Sequence, residues 1–420
     1  MNKVFISGIG FASSIGTGSD QVAESLRQLR HGFTCKQLAG EGVGPKLVCG
    51  TVEGFDVEGV EPRAWSFPGS DKIDPAFLRW MPPHGAYAVV ALEEALAQAG
   101  LHREDLTDGN TGLYCASVGS PRILHHHLAR IAKADWQCGS PLFVVSSVAG
   151  TLNFNLGAQY QITGANCGFV SACASSSHAL GYAFDEIALG RQERMLVVGA
   201  EDGDAEIIIP FLGMRVLSPN QDPDTASRPF DCNRDGFVGT AGGAALILES
   251  ERSVEQRGAT PIAEFLGWGQ ASDGHSVAVP HPEGMGIKSA MELCLRSSGR
   301  DLASVDYINA HATSTPAGDK AEAIALKAIG CANPDIHTSI SSTKGLTGHG
   351  LSYAGALEAA ISVLCLQRGI LPGNAALSDP DPACEGLNLP THSENRPIRT
   401  VMNNSSGFGG SNVTQLFGLT

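Results

Sequence analysis

"TPIAEFLGWGQASDG", residues 260–274, decides how the chain is organised. It reads as an apolar strand, then Gly-x-Gly, then small polar residues. "MNKVFISGIGFASSIG", residues 1–16, follows the same plan. Two more pairs fall in the same order. "VDYINAHATST" (305–315) parallels the short strand "TGLYCAS" (111–117). "TVMNNSSGFGGSN" (400–412) parallels the apolar run "RMLVVGAED" (194–202). Such a run is expected of a strand buried on both faces. The order points to an internal duplication, 1–250 and 251–420; chance matching of short glycine-rich strands is the competing explanation. Helical apolar spacing, as in "AYAVVALEEALAQAGL" (86–101), alternates with the strands, which predicts a layered α/β fold.

The chain has 420 residues, 43% hydrophobic and 17% charged, with 51 glycines. That length allows a large core or two fused units. The net charge of −15 argues against a nucleic-acid binder. No apolar run reaches the roughly 18 residues of a membrane span. Eleven cysteines lack CxxC or metal-ligand spacing and read as reduced thiols. The first residues enter a strand without a signal-peptide pattern, so the cytoplasm is the expected location.

Four segments can carry chemistry. In "VSACASSSHALG" (170–181), Cys173 sits where a strand gives way to a helix marked by Leu180, Phe184 and Ile187. A helix N-terminus favours a thiolate and lowers its pKa; a small core cysteine is the bland alternative. In "NAHATSTPAGDKAEAIAL" (309–326), His311 follows an apolar strand, Thr313 and Thr315 offer hydroxyls, and Pro316 and Gly318 break the chain before a helix with Asp319 and Glu322. A histidine there is more often a hydrogen-bonding residue than a catalyst. In "SSTKGLTGHGLSYAGALEAAISVLCL" (341–366), Lys344 and His349 precede a buried-looking helix whose one acid is Glu358. Ammonium, imidazole and helix end together suit an anionic oxygen; a solvated loop lysine is the alternative. In "NNSSGFGGSN" (403–412), glycines flank Phe408, which fits a mobile gate. Neither this segment nor "GIGFASSIG" completes a phosphate-loop or dinucleotide fingerprint.

Together these segments, with "SRPFDCNRDGFV" (227–238), resemble the β-ketoacyl-[acyl carrier protein] synthases from residue 1 to about 418. The resemblance implies a thiolase-like fold: two pseudo-repeated halves in α-β-α-β-α layers. It implies a homodimer, or a heterodimer with a related subunit. It implies an acyl carrier protein and acyl and malonyl thioesters as partners, and no external cofactor. Cys173 becomes the acyl-accepting nucleophile in a triad with His311 and His349, supported by Lys344 and Glu322. Phe408 becomes the gate, its N–H joining that of Cys173 in an oxyanion hole. Thr313 and Thr315 would contact the malonyl or pantetheine part. Asn309, Glu358, Asn403 and Asn404 would hold a structural monovalent cation.

Departures from the family pattern are Ala312 after His311, where a glycine is usual, and Ser406, where an aromatic is usual two residues before the gate. The resemblance implies that the latter widens or re-shapes the acyl channel. "ILHHHLARI" (123–131) sets three histidines on a segment that borders the acyl pocket and dimer interface in relatives; surface variation is the favoured explanation for them. The nearest candidates for carrier docking are Arg79, Arg130 and Lys133. A specialised synthase of polyketide or polyene chains, with a non-identical partner, is the alternative function. A thiolase is disfavoured, because "GFGGSN" lacks its second cysteine.

Overall fold

The computed structural model describes residues 2–38, 44–134 and 142–420. Ten strands build two half-sheets. Those of the first half are β1 (Val4–Ser13), β2 (Thr111–Ala116), β3 (Asn166–Phe169), β4 (Arg194–Glu201) and β5 (Gly242–Ser250). Those of the second are β6 (Ala263–Ser272), β7 (Tyr307–Asn309), β8 (Ser339–Ser341), β9 (Thr400–Gly407) and β10 (Ser411–Gly418). Their spatial orders are β1-β5-β4-β2-β3 and β6-β10-β9-β7-β8, the same path twice. In each, the first two pairings are antiparallel and the last two parallel.

Seven helices position the site: α1 (Pro83–Ala99), α2 (Pro121–Ala134), α3 (Thr151–Gln159), α4 (Ser175–Ala188), α5 (Met285–Ser298), α6 (Pro316–Ala328) and α7 (Ala354–Arg368). α1 and α3 cover the outside of the first half-sheet, and α5, with α6 beside it, covers the second. α4 and α7 pack on each other and on strands of both halves, forming the middle of five layers. α7 is buried from Ala354 to Leu366. A helix apolar on every side belongs in such an interior.

The Gly-x-Gly stretches explain the layering. β1 and β6 pair with each other only at Val4–Phe265, Phe5–Glu264 and Ile6–Ala263. Each strand then shifts register against its other neighbour at the equivalent place, between Ile6 and Gly8 and between Phe265 and Gly267. Beyond it, helix backbone lies directly on the glycines. A Cβ on Gly8 would sit 2.1 Å from the Ala95 carbonyl oxygen of α1; one on Gly269 would sit 2.3 Å from that of Ala290 in α5. Glycine in a strand interior marks such an approach. One local expectation fails: Pro316 does not break the chain but opens α6, where its missing N–H costs nothing.

Candidate active site

The β3–α4 and β8–α7 connections meet between the half-sheets. In the first, Ala172 takes a left-handed φ of 51° and turns Cys173 inward. Side chains of α4 lock that turn. Ser175 Oγ accepts from Ser171 N at 2.8 Å and donates to the Ala172 carbonyl at 2.6 Å; His178 Nδ1 is 2.8 Å from Ser171 Oγ. In the second, Lys344 opens a one-turn helix, Lys344–Thr347, and His349 follows it.

His349 Nε2 lies 3.0 Å from Cys173 Sγ. The His311 and His349 rings stand edge to face, with centroids 5.4 Å apart. Lys344 Nζ donates to His311 Nδ1 at 3.3 Å, which leaves the other ring nitrogen of a neutral His311 as the proton carrier. Burial and the Lys344 charge push both imidazoles well below their ordinary pKa of 6.5, so both are neutral near pH 7.

The carboxylate paired with Lys344 is Glu358, from the first turns of α7. This corrects the expected Lys344–Glu322 pair. Glu322 instead accepts from the backbone N–H of His311 at 2.9 Å and of Ala312 at 2.6 Å, and from Asn404 Nδ2 at 3.1 Å. It fixes the peptide that carries His311. A second correction concerns the thiol. The helix end and Lys344 pull its pKa down, but burial outweighs them and pushes it up to about 12. Cys173 therefore rests as a thiol beside a neutral imidazole that can take its proton.

A cavity of about 350 Å³ opens onto these groups. Cys173, His311, His349, Thr313, Thr315, Ser406 and Phe408 all border it. The Thr313 and Thr315 hydroxyls are 3.0 Å apart. Phe408 caps the β9–β10 turn, where Gly409 and Gly410 take φ of 81° and 77°. A Cβ on the preceding Gly407 would lie 3.2 Å from Cys173 N, so this turn packs on the Cys173 amide. Ser406 Oγ donates to Asn412 Oδ1 at 2.7 Å, placing a polar pair in the wall.

The sequence reading missed Phe211, Phe237 and Arg215, which also line the cavity. Phe237 meets the His349 ring edge to face at 5.2 Å, and Phe211 lies between Phe237 and Phe408. Their place in a one-turn helix, Pro210–Gly213, and in the irregular segments after it gave no periodic signal. Arg79, Arg130 and Lys133 are exposed, and none lines this cavity. Of the three histidines, His125 is exposed, whereas His127 stacks on Phe143 at 4.5 Å.

A cation site can be tested on unsatisfied oxygens. Glu358 Oε2 and Asn403 Oδ1 are buried without a hydrogen-bond partner. The Asn309 and Asn404 side-chain oxygens accept from Thr343 and Thr414. Two free oxygens thus fit a hard cation; the other two are already engaged.

Comparison with known proteins settles the family. The profile of the β-ketoacyl synthase N-terminal domain matches residues 1–253, and that of the C-terminal domain matches 262–378. The chain belongs to the β-ketoacyl synthase family. The 3-oxoacyl-[acyl-carrier-protein] synthase 1 of Haemophilus influenzae is 35% identical, covering 99% of both chains. The solved structure of a β-ketoacyl synthase from Burkholderia phymatum matches with a TM-score of 0.87 at 30% identity, covering all of both chains. The ishigamide ketosynthase/chain length factor also matches at 0.87, with 28% identity over 100% of this chain and 99% of that one. The thiolase-like fold expected from the sequence is the one observed.

Proposed function

We propose that this synthase condenses a Cys173-bound acyl group with malonyl-[acyl carrier protein], releasing CO₂ and forming a β-ketoacyl-[acyl carrier protein]. The observation that carries this reading is the convergence of one thiol and two neutral imidazoles on a single cavity. The Cys173 sulfur attacks the incoming acyl thioester as its proton passes to the departing carrier thiol. The Cys173 and Phe408 N–H groups receive the oxyanion. Malonyl thioester then enters past Thr313 and Thr315. Loss of CO₂ places charge on its thioester oxygen, and N–H donors of His311 and His349 stabilise that oxygen. The resulting carbanion attacks the acyl-Cys173 carbonyl, the C–S bond breaks, and the departing thiolate takes up a proton from water to restore the thiol.

Lys344 acts through His311, whose tautomer it fixes, and Glu358 balances its charge. Glu322 holds the backbone of His311. Asn309, Glu358, Asn403 and Asn404 are the residues that would hold a monovalent cation, which would supply positive charge beside Glu358. The repeated strand path supports a division into halves of 1–250 and 251–420. Arg215 at the cavity rim joins Arg79, Arg130 and Lys133 as a site for the carrier.

A homodimer is supported by the exposed apolar side chains of Leu128, Val144, Val148, Phe154 and Val170 and by the edge strand β3, which among the described residues pairs on one side only. A polyketide or polyene synthase with a non-identical partner is favoured by the polar Ser406–Asn412 wall and by the likeness to the ishigamide ketosynthase/chain length factor. Among the described residues no helix is long and apolar enough to cross a membrane. The ten described cysteines are free, which supports a cytoplasmic location. The test is mass spectrometry of purified enzyme with acyl- and malonyl-carrier. A β-ketoacyl product and an acyl group on Cys173 are expected; acylation elsewhere with Cys173 free contradicts the reading.

A further inference from the structure

The segment "SRPFDCNRDGFV" carries no group that touches the cavity except Phe237, yet it spans the meeting of the two halves. Its ends hold one catalytic loop of the second half, the β8–α7 connection. Ser227 Oγ donates to the Lys344 carbonyl at 2.8 Å, and His349 N donates to the Val238 carbonyl at 2.7 Å. Its middle grips the threonine loop. Arg228 N donates to Ser314 Oγ at 3.0 Å, and Gly236 N to the Ser314 carbonyl at 3.0 Å.

Arg234 is the centre of that grip. Its side chain is only 4% exposed. Nε donates to the Thr315 carbonyl at 3.1 Å and Nη2 to the Pro316 carbonyl at 2.7 Å. Nη1 pairs with Asp381 Oδ2 at 2.8 Å and donates to the Asp231 carbonyl at the same distance. Asp319, 3.6 Å from Nε, accepts from Thr315 N at 3.2 Å and Phe230 N at 2.9 Å. Ser314 needs this support, because its φ of 69° is left-handed and unfavourable for a residue with a side chain. That bend is what turns the Thr313 and Thr315 hydroxyls toward each other at the cavity wall.

We propose that Arg234 is a positioning residue for the malonyl thioester: its guanidinium fork fixes the 313–316 bend and thereby the two threonine hydroxyls. A lysine is a point donor and cannot span both carbonyls. The inference rests on the condensation reading, and it specifies which step suffers. Binding of the malonyl thioester depends on the threonines; access of a small reagent to Cys173 does not.

The experiment measures CO₂ release from malonyl-pantetheine, alkylation of Cys173 by iodoacetamide, and thermal unfolding, in the parent, Arg234→Lys, Asp381→Asn and Asp231→Asn. Misplacement of a positioning group by an ångström costs about 10²-fold. Arg234→Lys should raise KM for malonyl-pantetheine by about 10- to 10²-fold, with a smaller change in kcat and an unchanged alkylation rate. Asp381→Asn, which frees one arm of the fork at a half-exposed position, should raise KM in the same direction by less. Asp231→Asn, whose side chain ties only Asn233, Ser378 and Asp379, should lower stability with KM unchanged. If KM is unchanged in both Arg234→Lys and Asp381→Asn, or rises equally in Asp231→Asn, the proposal is overturned. A parent that releases no CO₂ overturns the condensation reading, and this one with it.

Discussion

The connections from β3 to α4 and from β8 to α7 occupy equivalent places in the two halves, yet they do different work. The first, residues 170–174, is short and offers one side chain under backbone strain, Cys173 beside Ala172 at φ 51°. The second, residues 342–353, is more than twice as long and winds through a helical turn. It offers Lys344 and His349. Duplication supplied two central helices that meet; the unequal length of their leading connections divided the chemistry. The short connection holds the sulfur that the proposed reaction acylates. The long one supplies charge and hydrogen-bond donors.

The largest effect is expected on the short side. Cys173→Ala removes the sulfur that carries the acyl group in the proposed reaction, so condensation should fall to background while the variant still binds malonyl thioester. Radiolabelled acyl transfer to the protein checks this. On the long side, Glu358→Gln leaves the buried Lys344 ammonium without its carboxylate. Breaking such a pair costs about 3–5 kcal/mol. Chemical denaturation should show a loss of that size, and an unchanged midpoint would remove Glu358 as the balancing charge.

The two connections should also differ in pH response. His311 and His349 are held neutral by burial, with folded pKa values below the unfolded 6.5. Below 6.5 the unfolded chain binds more protons, so the stability these residues support is full above that pH and declines as pH falls. CO₂ release should therefore show no imidazole step between about pH 8 and about pH 6. Alkylation of Cys173 should instead keep rising with pH through this range, since burial holds the thiol protonated. A plateau in alkylation below pH 8 would place a standing thiolate on the short side. The smallest effect is Ala172→Val. A β-branched residue fits left-handed φ poorly, at a cost of about 1–2 kcal/mol. Calorimetry checks it.

Much of this was readable in the sequence because the signals were periodic or glycine-marked. The Gly-x-Gly pairs at 8–10 and 267–269 showed the duplication, and Cys173, His311, Lys344 and His349 stood at predicted strand and helix ends. Pairing was less legible. Glu322 and Glu358 are both acids on helices that follow a candidate loop, and only the packing of α7 shows that Glu358 reaches Lys344. Arg234 was hidden for a similar reason: its partners lie some eighty residues away, at Thr315 and Pro316. The thiol's pKa was misjudged because a helix end is visible in sequence, whereas the depth of burial is not.

The central claim is that the nucleophile and the enolate donors come from different halves and serve different half-reactions. It is tested by measuring CO₂ release from labelled malonyl-carrier beside acyl-enzyme formation in Cys173→Ala, His311→Ala and His349→Ala. Loss of one preorganised donor costs about 10²–10³ in rate. Each histidine variant should lose CO₂ release by about that factor, while Cys173→Ala loses acyl-enzyme formation and retains decarboxylation. CO₂ release at the parent rate in both histidine variants would contradict the account.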